Sequence, residues 1–255
     1  MKASRLCGAD VIALKLKLDQ DFAEATRAGI LKALSRVYSW AKDLDYVAQN
    51  PFAAIPKGSF ENKSREVFVP METYYRLVKN CSDAELRVLL SFYRVGGMRL
   101  SEAFEARWED VDWAAERFTV RSPKTERVGK AFRVIPLFEE IRTELEKLKS
   151  ETQVFDGPIV RKRREKTSIY RAVTKLCNEL GIPVWERLIQ NLRASRANEI
   201  FRDVHGVAES EWIGHTTQTA RQHYLQLLPQ DYAKALGKAS AVAKMVAEPI
   251  GIHRN

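Results

Sequence analysis

RFTVRSPKTERVGKAFRVIPL, residues 117 to 137, breaks the rhythm of the chain. Upstream, apolar residues recur every three or four positions; here they alternate with polar ones. Phe118 and Val120 share one side of the first run, and Phe132, Val134 and Ile135 supply the apolar positions of the return. Between the runs lies a polar loop with Pro123 and Gly129. This pattern predicts a β-hairpin, or the first part of a small antiparallel sheet. Set among helical segments, it makes the chain mainly α with a small antiparallel β-sheet, an α+β fold.

Working back from the hairpin, RLSEAFEARWEDVDW (99–113) reads as a helix capped by Ser101, with Ala103, Phe104 and Trp108 on its apolar side. DAELRVLLSFYRVGG (83–97) is a strongly apolar helix ending at the Gly96-Gly97 pair. VPMETYYRLVKNC (69–81) predicts a helix starting after Pro70, with Glu72 favoured in its first turn by the helix dipole. Further upstream, residues 8–47 read as helical, with Leu31, Leu34, Val37, Tyr38 and Ala41 on one face. Pro51, Pro56, Gly58, Ser59, Asn62 and Ser64 then interrupt the pattern. The expected organisation is a short helical domain over 1–58, a linker over 59–66 and a larger domain over 67–255. A unit of this size sits near the minimum for a self-sufficient core, so the first domain reads as an incomplete one. Downstream of the hairpin, helices are expected at about 138–150, 167–180, 189–203, 207–213, 216–227 and 229–246. The last of these, with Ala235, Ala239, Val242 and Met245 on one side, suits either docking onto a neighbouring subunit or packing within the chain.

The bulk numbers point to a soluble protein with a polyanionic partner. A formal charge of +9 over 255 residues favours nucleic acid, because lysine and arginine release counterions from a phosphate backbone. Cys7, Cys81 and Cys177 are too widely spaced for a disulfide framework or a zinc site, and read as reduced, mostly buried thiols. No run approaches the roughly 20 apolar residues needed to span a bilayer, and no secretory signal pattern opens the chain. A cytoplasmic protein is the expectation.

Several residues carry possible chemistry. GGMRLSE sets Arg99 at a helix N-terminus, where backbone donors also gather; it suits an anion, or is a surface arginine after a cap. Glu102 can pair with Arg99 or cap the helix. Lys124 sits in the hairpin loop, where a solvated lysine is the plain alternative. QNLRASR places Arg193 in an apolar stripe with Ile189, Leu192, Ala197 and Ile200, while Arg196 is as readily a structural ion-pair partner. WIGHTTQTARQHY holds His215 and, nine residues later, Tyr224. His223 precedes Tyr224 but projects about 100° away on a helix, which favours a DNA-backbone or packing role. RKRREK and the helix after it offer Arg161, Lys162, Arg163, Arg164, Lys166 and Arg171 as a phosphate-gripping surface, or as a solvated charged face.

In this order the motifs resemble the tyrosine recombinase (phage integrase) family over about residues 65–246. Arg99 in GMRLSE resembles the first arginine of its G-x-R-x-S-E box, and Lys124 in SPKTER its hairpin lysine. Arg193 resembles the second arginine, His215 in WIGHTT the Gly-His histidine, and Tyr224 the nucleophile. Where the family normally has histidine, three residues before Arg193, this chain has Gln190. That amide can donate to a phosphate oxygen but cannot shuttle a proton at neutral pH.

The resemblance implies a tyrosine-recombinase-like catalytic domain preceded by a short core-DNA-binding domain, and strand exchange through a 3′-phosphotyrosine. Arg99 and Arg193 would clamp the phosphate, Lys124 would protonate the leaving 5′ oxygen, and His215 would assist at the phosphate or in proton movement. The chemistry implies no cofactor and no metal. The implied partner is double-stranded DNA, bound by a homotetramer on paired sites that is a monomer or dimer without DNA. Two rival readings share the scaffold: a non-catalytic DNA-binding relative, and a type IB topoisomerase-like activity.

Overall fold

The computed structural model describes residues 6–58, 66–122, 131–162, 165–203 and 210–214. They form two compact units, Met1–Glu66 and Val67–Asn255.

The first unit contains two helices, α1 (Gly8–Asp21) and α2 (Glu24–Asp43). The continuous helical reading is interrupted at Phe22, whose backbone is extended and whose N–H ends α1 on the Leu18 carbonyl. Asp19 bridges the break by pairing with Lys15 and Arg27, each at 2.7 Å. A small core of Val11, Leu18, Leu31 and Phe52 closes between the helices and the following turn, with Leu34 and Tyr38 packed against it. Val37, expected on this face, is instead exposed. One position off the stripe turns a side chain by about 100°, enough to carry Val37 past the narrow core.

In the second unit, α3 (Met71–Asn80) begins after Pro70 as expected. Helix α4 (Ala84–Arg94) is capped by Asp83, whose carboxylate accepts the Leu86 N–H at 2.9 Å. All its residues from Glu85 to Arg94 are buried. A helix buried on every side belongs at the centre of a domain, and α4 packs against α3, α6 (Glu139–Thr152) and α8 (Leu188–Asp203). Helix α7 (Lys166–Glu179) buries Ile169, Val173, Leu176 and Cys177 in the same core. Of the three cysteines, Cys81 and Cys177 are buried and Cys7 is exposed.

The sheet is antiparallel, in the order β1 (Val111–Asp112), β2 (Arg117–Arg121), β3 (Phe132–Pro136). Phe118 pairs with Ile135 and Val120 with Arg133. Phe118 meets Phe92 of α4 with ring centroids 5.3 Å apart, joining sheet to helical core. The α+β expectation holds, but the inward face of β3 differs from the reading. Phe132 and Val134 are 66% and 43% exposed, whereas Arg133 and Ile135 are buried. Alternation explains this: with Ile135 inward, Arg133 must also be inward.

Helix α5 (Leu100–Glu105) is shorter than expected, and Trp108 lies beyond it in a 3₁₀ turn. Its N-cap is Arg99; Ser101 lies inside the helix and is exposed. Glu102 takes over the capping role by reaching back to the Arg99 N–H at 2.6 Å. The described part of the expected 207–213 helix is a π-helical turn, Ser210–Gly214. The helices expected at 216–227 and 229–246 lie outside the described residues. Among those described, no helix is long and apolar enough to cross a membrane.

Candidate active site

The site is built where α4 ends. Gly97 adopts a left-handed backbone (φ +59°), and a Cβ there would stand 2.6 Å from Ile213 Cδ1. Only glycine meets both demands, so the chain turns tightly and sends Arg99 to the start of α5. The Gly97 carbonyl then accepts a hydrogen bond from Arg193 Nη1, reaching across from α8.

Around this turn, three guanidinium groups gather on one carboxylate. Glu102, 1% exposed, accepts from Arg99 Nη1 at 2.6 Å and from Arg133 Nη1 and Nη2 at 2.8 and 2.9 Å. Arg193 Nη1 stands 3.8 Å from the same carboxylate, and Ser122 Oγ donates to it at 2.6 Å. Burial by itself would raise the Glu102 carboxyl. The hydrogen bonds and charge of Arg133, then the charges of Arg193 and Arg99, outweigh burial and hold it well below the usual carboxylate range. Three cations around one anion leave the cluster net positive, and Arg99 is its partly exposed member, with side-chain exposure of 23%. The arrangement therefore presents a fixed positive group at the surface, backed by buried ion pairs, and suits an anionic ligand.

The same arginines hold a second element. Arg133 Nε donates to the Trp212 carbonyl at 2.7 Å, Arg193 Nη2 to Ile213 at 2.6 Å and Arg99 Nη2 to Gly214 at 2.7 Å. Three consecutive carbonyls are thus each held by a different arginine. Trp212 also packs edge-on against Phe138, with centroids 6.3 Å apart.

Of the residues singled out in the sequence, Arg99 and Arg193 come together on Glu102. Gln190 lies on α8, three residues before Arg193, and is exposed. Arg196 takes its structural alternative: it pairs with Glu199 at 3.4 Å and stacks on Phe138, 4.6 Å from the ring centroid. Arg161, Lys162, Lys166 and Arg171 are exposed on and before α7, away from the arginine cluster in sequence. The backbone N–H groups of Arg161 and Lys162 are anchored on Glu85 at 3.2 and 2.9 Å. Lys124, Arg163, Arg164, His215, His223 and Tyr224 lie outside the described residues. Sequence reading missed Arg133 and Ser122. The two-residue period counted back from Ile135 points Arg133 inward, toward the glutamate of GMRLSE, and would have found it.

With this geometry in hand, comparison with known proteins is informative. The profile of the phage integrase family matches residues 68–231. The chain belongs to the phage integrase family. The curated relatives it matches are tyrosine recombinases, and the chain spans about three fifths to two thirds of their length. Tyrosine recombinase XerC of Xanthomonas campestris pv. campestris is 27% identical over 230 residues, covering 84% of this chain and 67% of XerC. Tyrosine recombinase XerA of Thermococcus kodakarensis is 25% identical over 169 residues, 64% of this chain and 58% of XerA. Among solved structures, a lambda integrase dimer bound to a COC′ core site superposes with a TM-score of 0.68 at 17% identity, over 87% of this chain and 81% of that one. The Tn1549 transposon integrase in complex with transposon right end DNA gives 0.72 at 13% identity, over 94% and 87%. These two share the fold of the family member described here.

Proposed function

We propose that the protein is a site-specific DNA recombinase that cuts and rejoins strands through a 3′-phosphotyrosine on Tyr224. One observation carries the reading: Arg99 and Arg193, far apart in sequence, share the Glu102 carboxylate and grip the segment that runs directly into His215. A phosphodiester exchange needs positioned cations more than covalent help from the protein, apart from a nucleophile.

In the proposed reaction, the Tyr224 oxygen attacks the scissile phosphorus and loses its proton. The bond to the 5′ oxygen breaks, and Lys124 delivers the proton that oxygen needs. Arg99 and Arg193 bind the non-bridging oxygens, stay charged throughout and stabilise the phenolate against a phenol whose ordinary pKa is near 10. His215 donates to the phosphate or moves the tyrosine proton, and Gln190 donates a hydrogen bond without proton transfer. Rejoining reverses the steps with a new 5′ hydroxyl, so the reaction consumes no cofactor and no metal takes part.

The partner is double-stranded DNA, in keeping with the DNA-bound integrases that share the fold. Arg161, Lys162, Arg163, Arg164, Lys166, Arg171 and His223 contact phosphates, which positions the duplex without reading bases. The N-terminal unit contributes to DNA binding as a core-binding domain. A homotetramer assembles on paired sites from monomers or dimers, and the protein works at the nucleoid.

The deciding experiment uses a duplex selected by the protein from a randomised pool and nicked beside the cleavage point, so that the cut fragment diffuses away. Wild type forms a covalent protein–DNA adduct and Tyr224→Phe forms none. Binding without adduct in wild type would overturn the recombinase reading in favour of a DNA-binding relative. Relaxation of supercoiled plasmid lacking the selected site would point to topoisomerase-like activity.

A further inference from the structure

We propose that Arg133 is a positioning residue for strand cleavage, one that acts by orienting Arg99 and Arg193 rather than by touching DNA. The inference rests on the recombinase reading above. It starts from an oddity of β3: a strand whose neighbours Phe132 and Val134 face solvent turns an arginine inward, where it is 8% exposed. Burying a guanidinium is costly unless every face of it is paired. Here the pairing is extensive, and it links both halves of the site. Nη1 and Nη2 take the two Glu102 oxygens in a fork, Nη1 also donates to Ser122 Oγ at 3.0 Å, and Nε holds the Trp212 carbonyl.

Arg99 rests on the same two supports. It pairs with Glu102 Oε1 through Nη1 and with the Gly214 carbonyl through Nη2. Arg193 lies 3.8 Å from Glu102 and donates to the Ile213 carbonyl, between the Trp212 and Gly214 carbonyls. Arg133 thus joins the carboxylate that fixes one end of the Arg99 guanidinium to the turn that fixes the other. Gly214 packs on it directly: a Cβ at Gly214 would stand 3.1 Å from Arg133 Cδ. Without Arg133, Glu102 keeps its contacts to Arg99 and Ser122 but loses its two-point anchor to the sheet, and the 212–214 turn loses its tie to β3. A displacement of about 1 Å in a phosphate clamp is enough to slow chemistry by roughly 100-fold.

The test compares Arg133→Met and Arg133→Lys with wild type in single-turnover adduct formation on the nicked, selected duplex, at saturating protein and well below each variant's melting temperature. DNA affinity is measured in parallel. The expectation is a cleavage rate about 100-fold down in Arg133→Met with affinity within about 3-fold, since the group lies behind the clamp. Arg133→Lys keeps a cation beside Glu102 but not the fork, and falls between the two. If Arg133 works through Arg99, adding Arg133→Met to Arg99→Lys costs far less than the product of the single losses. A wild-type rate in Arg133→Met, or losses that simply multiply, would overturn the inference. Should Arg133→Met not fold, Arg133→Lys decides by the same criteria. Failure of wild type itself to form adduct would instead remove the recombinase reading, and this inference with it.

Discussion

Arg133 and Glu102 meet in a two-point ion pair, Nη1 to Oε1 at 2.8 Å and Nη2 to Oε2 at 2.9 Å, with both side chains buried. Because the arginines hold the Glu102 carboxyl below its ordinary range, folding favours its ionised form. A carboxylate of this kind adds stability that is fully present above its unfolded pKa of about 4.3 and is lost as pH falls toward the depressed folded value. Glu102→Gln removes that contribution. At pH 7 the variant should be less stable than wild type by about 3 kcal/mol, the usual cost of breaking a buried pair. By pH 3 the gap should narrow. Denaturant melts at both values check this, and an equal gap at the two would refute the assignment.

Gly97 offers a test with its own control. Gly97→Ala forces alanine into a left-handed backbone, costing about 1 kcal/mol, and drives a methyl to 2.6 Å from Ile213 Cδ1. Ile213 belongs to the turn held by the three arginines, so adduct formation should fall along with stability. Gly181 is also left-handed (φ +62°) but has nothing within 4 Å of a Cβ. Gly181→Ala should therefore cost only the backbone strain and leave cleavage intact. Similar cleavage in both variants would show that the contact with Ile213 is unimportant.

Much of this site was legible because its residues obey local rules. The double glycine announced a turn, and Glu102 three residues after Arg99 announced a pairing or a cap; the structure shows both. The periodicity of QNLRASR placed Arg193 on the buried side of α8, where it lies. Arg133 was missed because apolar content was weighed above alternation. Phe132 and Val134 looked like core, yet a strand sends only every second residue inward, and Ile135 had already chosen the side. Ser101 failed as a cap for a different reason. Helix start depends on where the backbone leaves the Gly97 turn, and Leu100 is the first helical residue. What brings α8 and the 212–214 turn onto Glu102 is tertiary packing around α4, which no local pattern encodes.

Away from the arginine cluster on Glu102, Arg94 is fully buried and depends on Glu199. Its Nη1 donates to Glu199 Oε2 at 2.8 Å, its Nη2 pairs with Oε1, and its Nε donates to the Val69 carbonyl at 2.9 Å. Glu199→Ala would leave this guanidinium buried with its fork empty and would also remove the partner of Arg196. The expected loss is about 3–5 kcal/mol, as for other broken buried pairs. Thermal or denaturant unfolding reads this directly, and a loss below about 1 kcal/mol, the level of an exposed pair, would be incompatible with the buried geometry.

The clamp itself is tested by lysine, which keeps the charge and removes the fork. Arg193 spans two carbonyls, Gly97 through Nη1 and Ile213 through Nη2, while Arg99 spans Glu102 and Gly214. An ammonium is a point charge on a flexible stem and cannot hold two partners in a fixed plane. In the proposed reaction these groups stabilise charge at the phosphate, where losing one oriented donor costs about 100- to 1,000-fold. Arg99→Lys and Arg193→Lys should each lose that much in single-turnover adduct formation. DNA affinity should fall much less, because the proposed reading gives most of the grip to the exposed basic residues around α7. Those residues give the opposite signature: Lys162→Ala or Arg171→Ala should weaken binding and lower the salt dependence by about one unit for each phosphate contact removed. Lysine variants that cleave at the wild-type rate would mean that charge alone suffices, and the guanidinium geometry would then have no part in the chemistry.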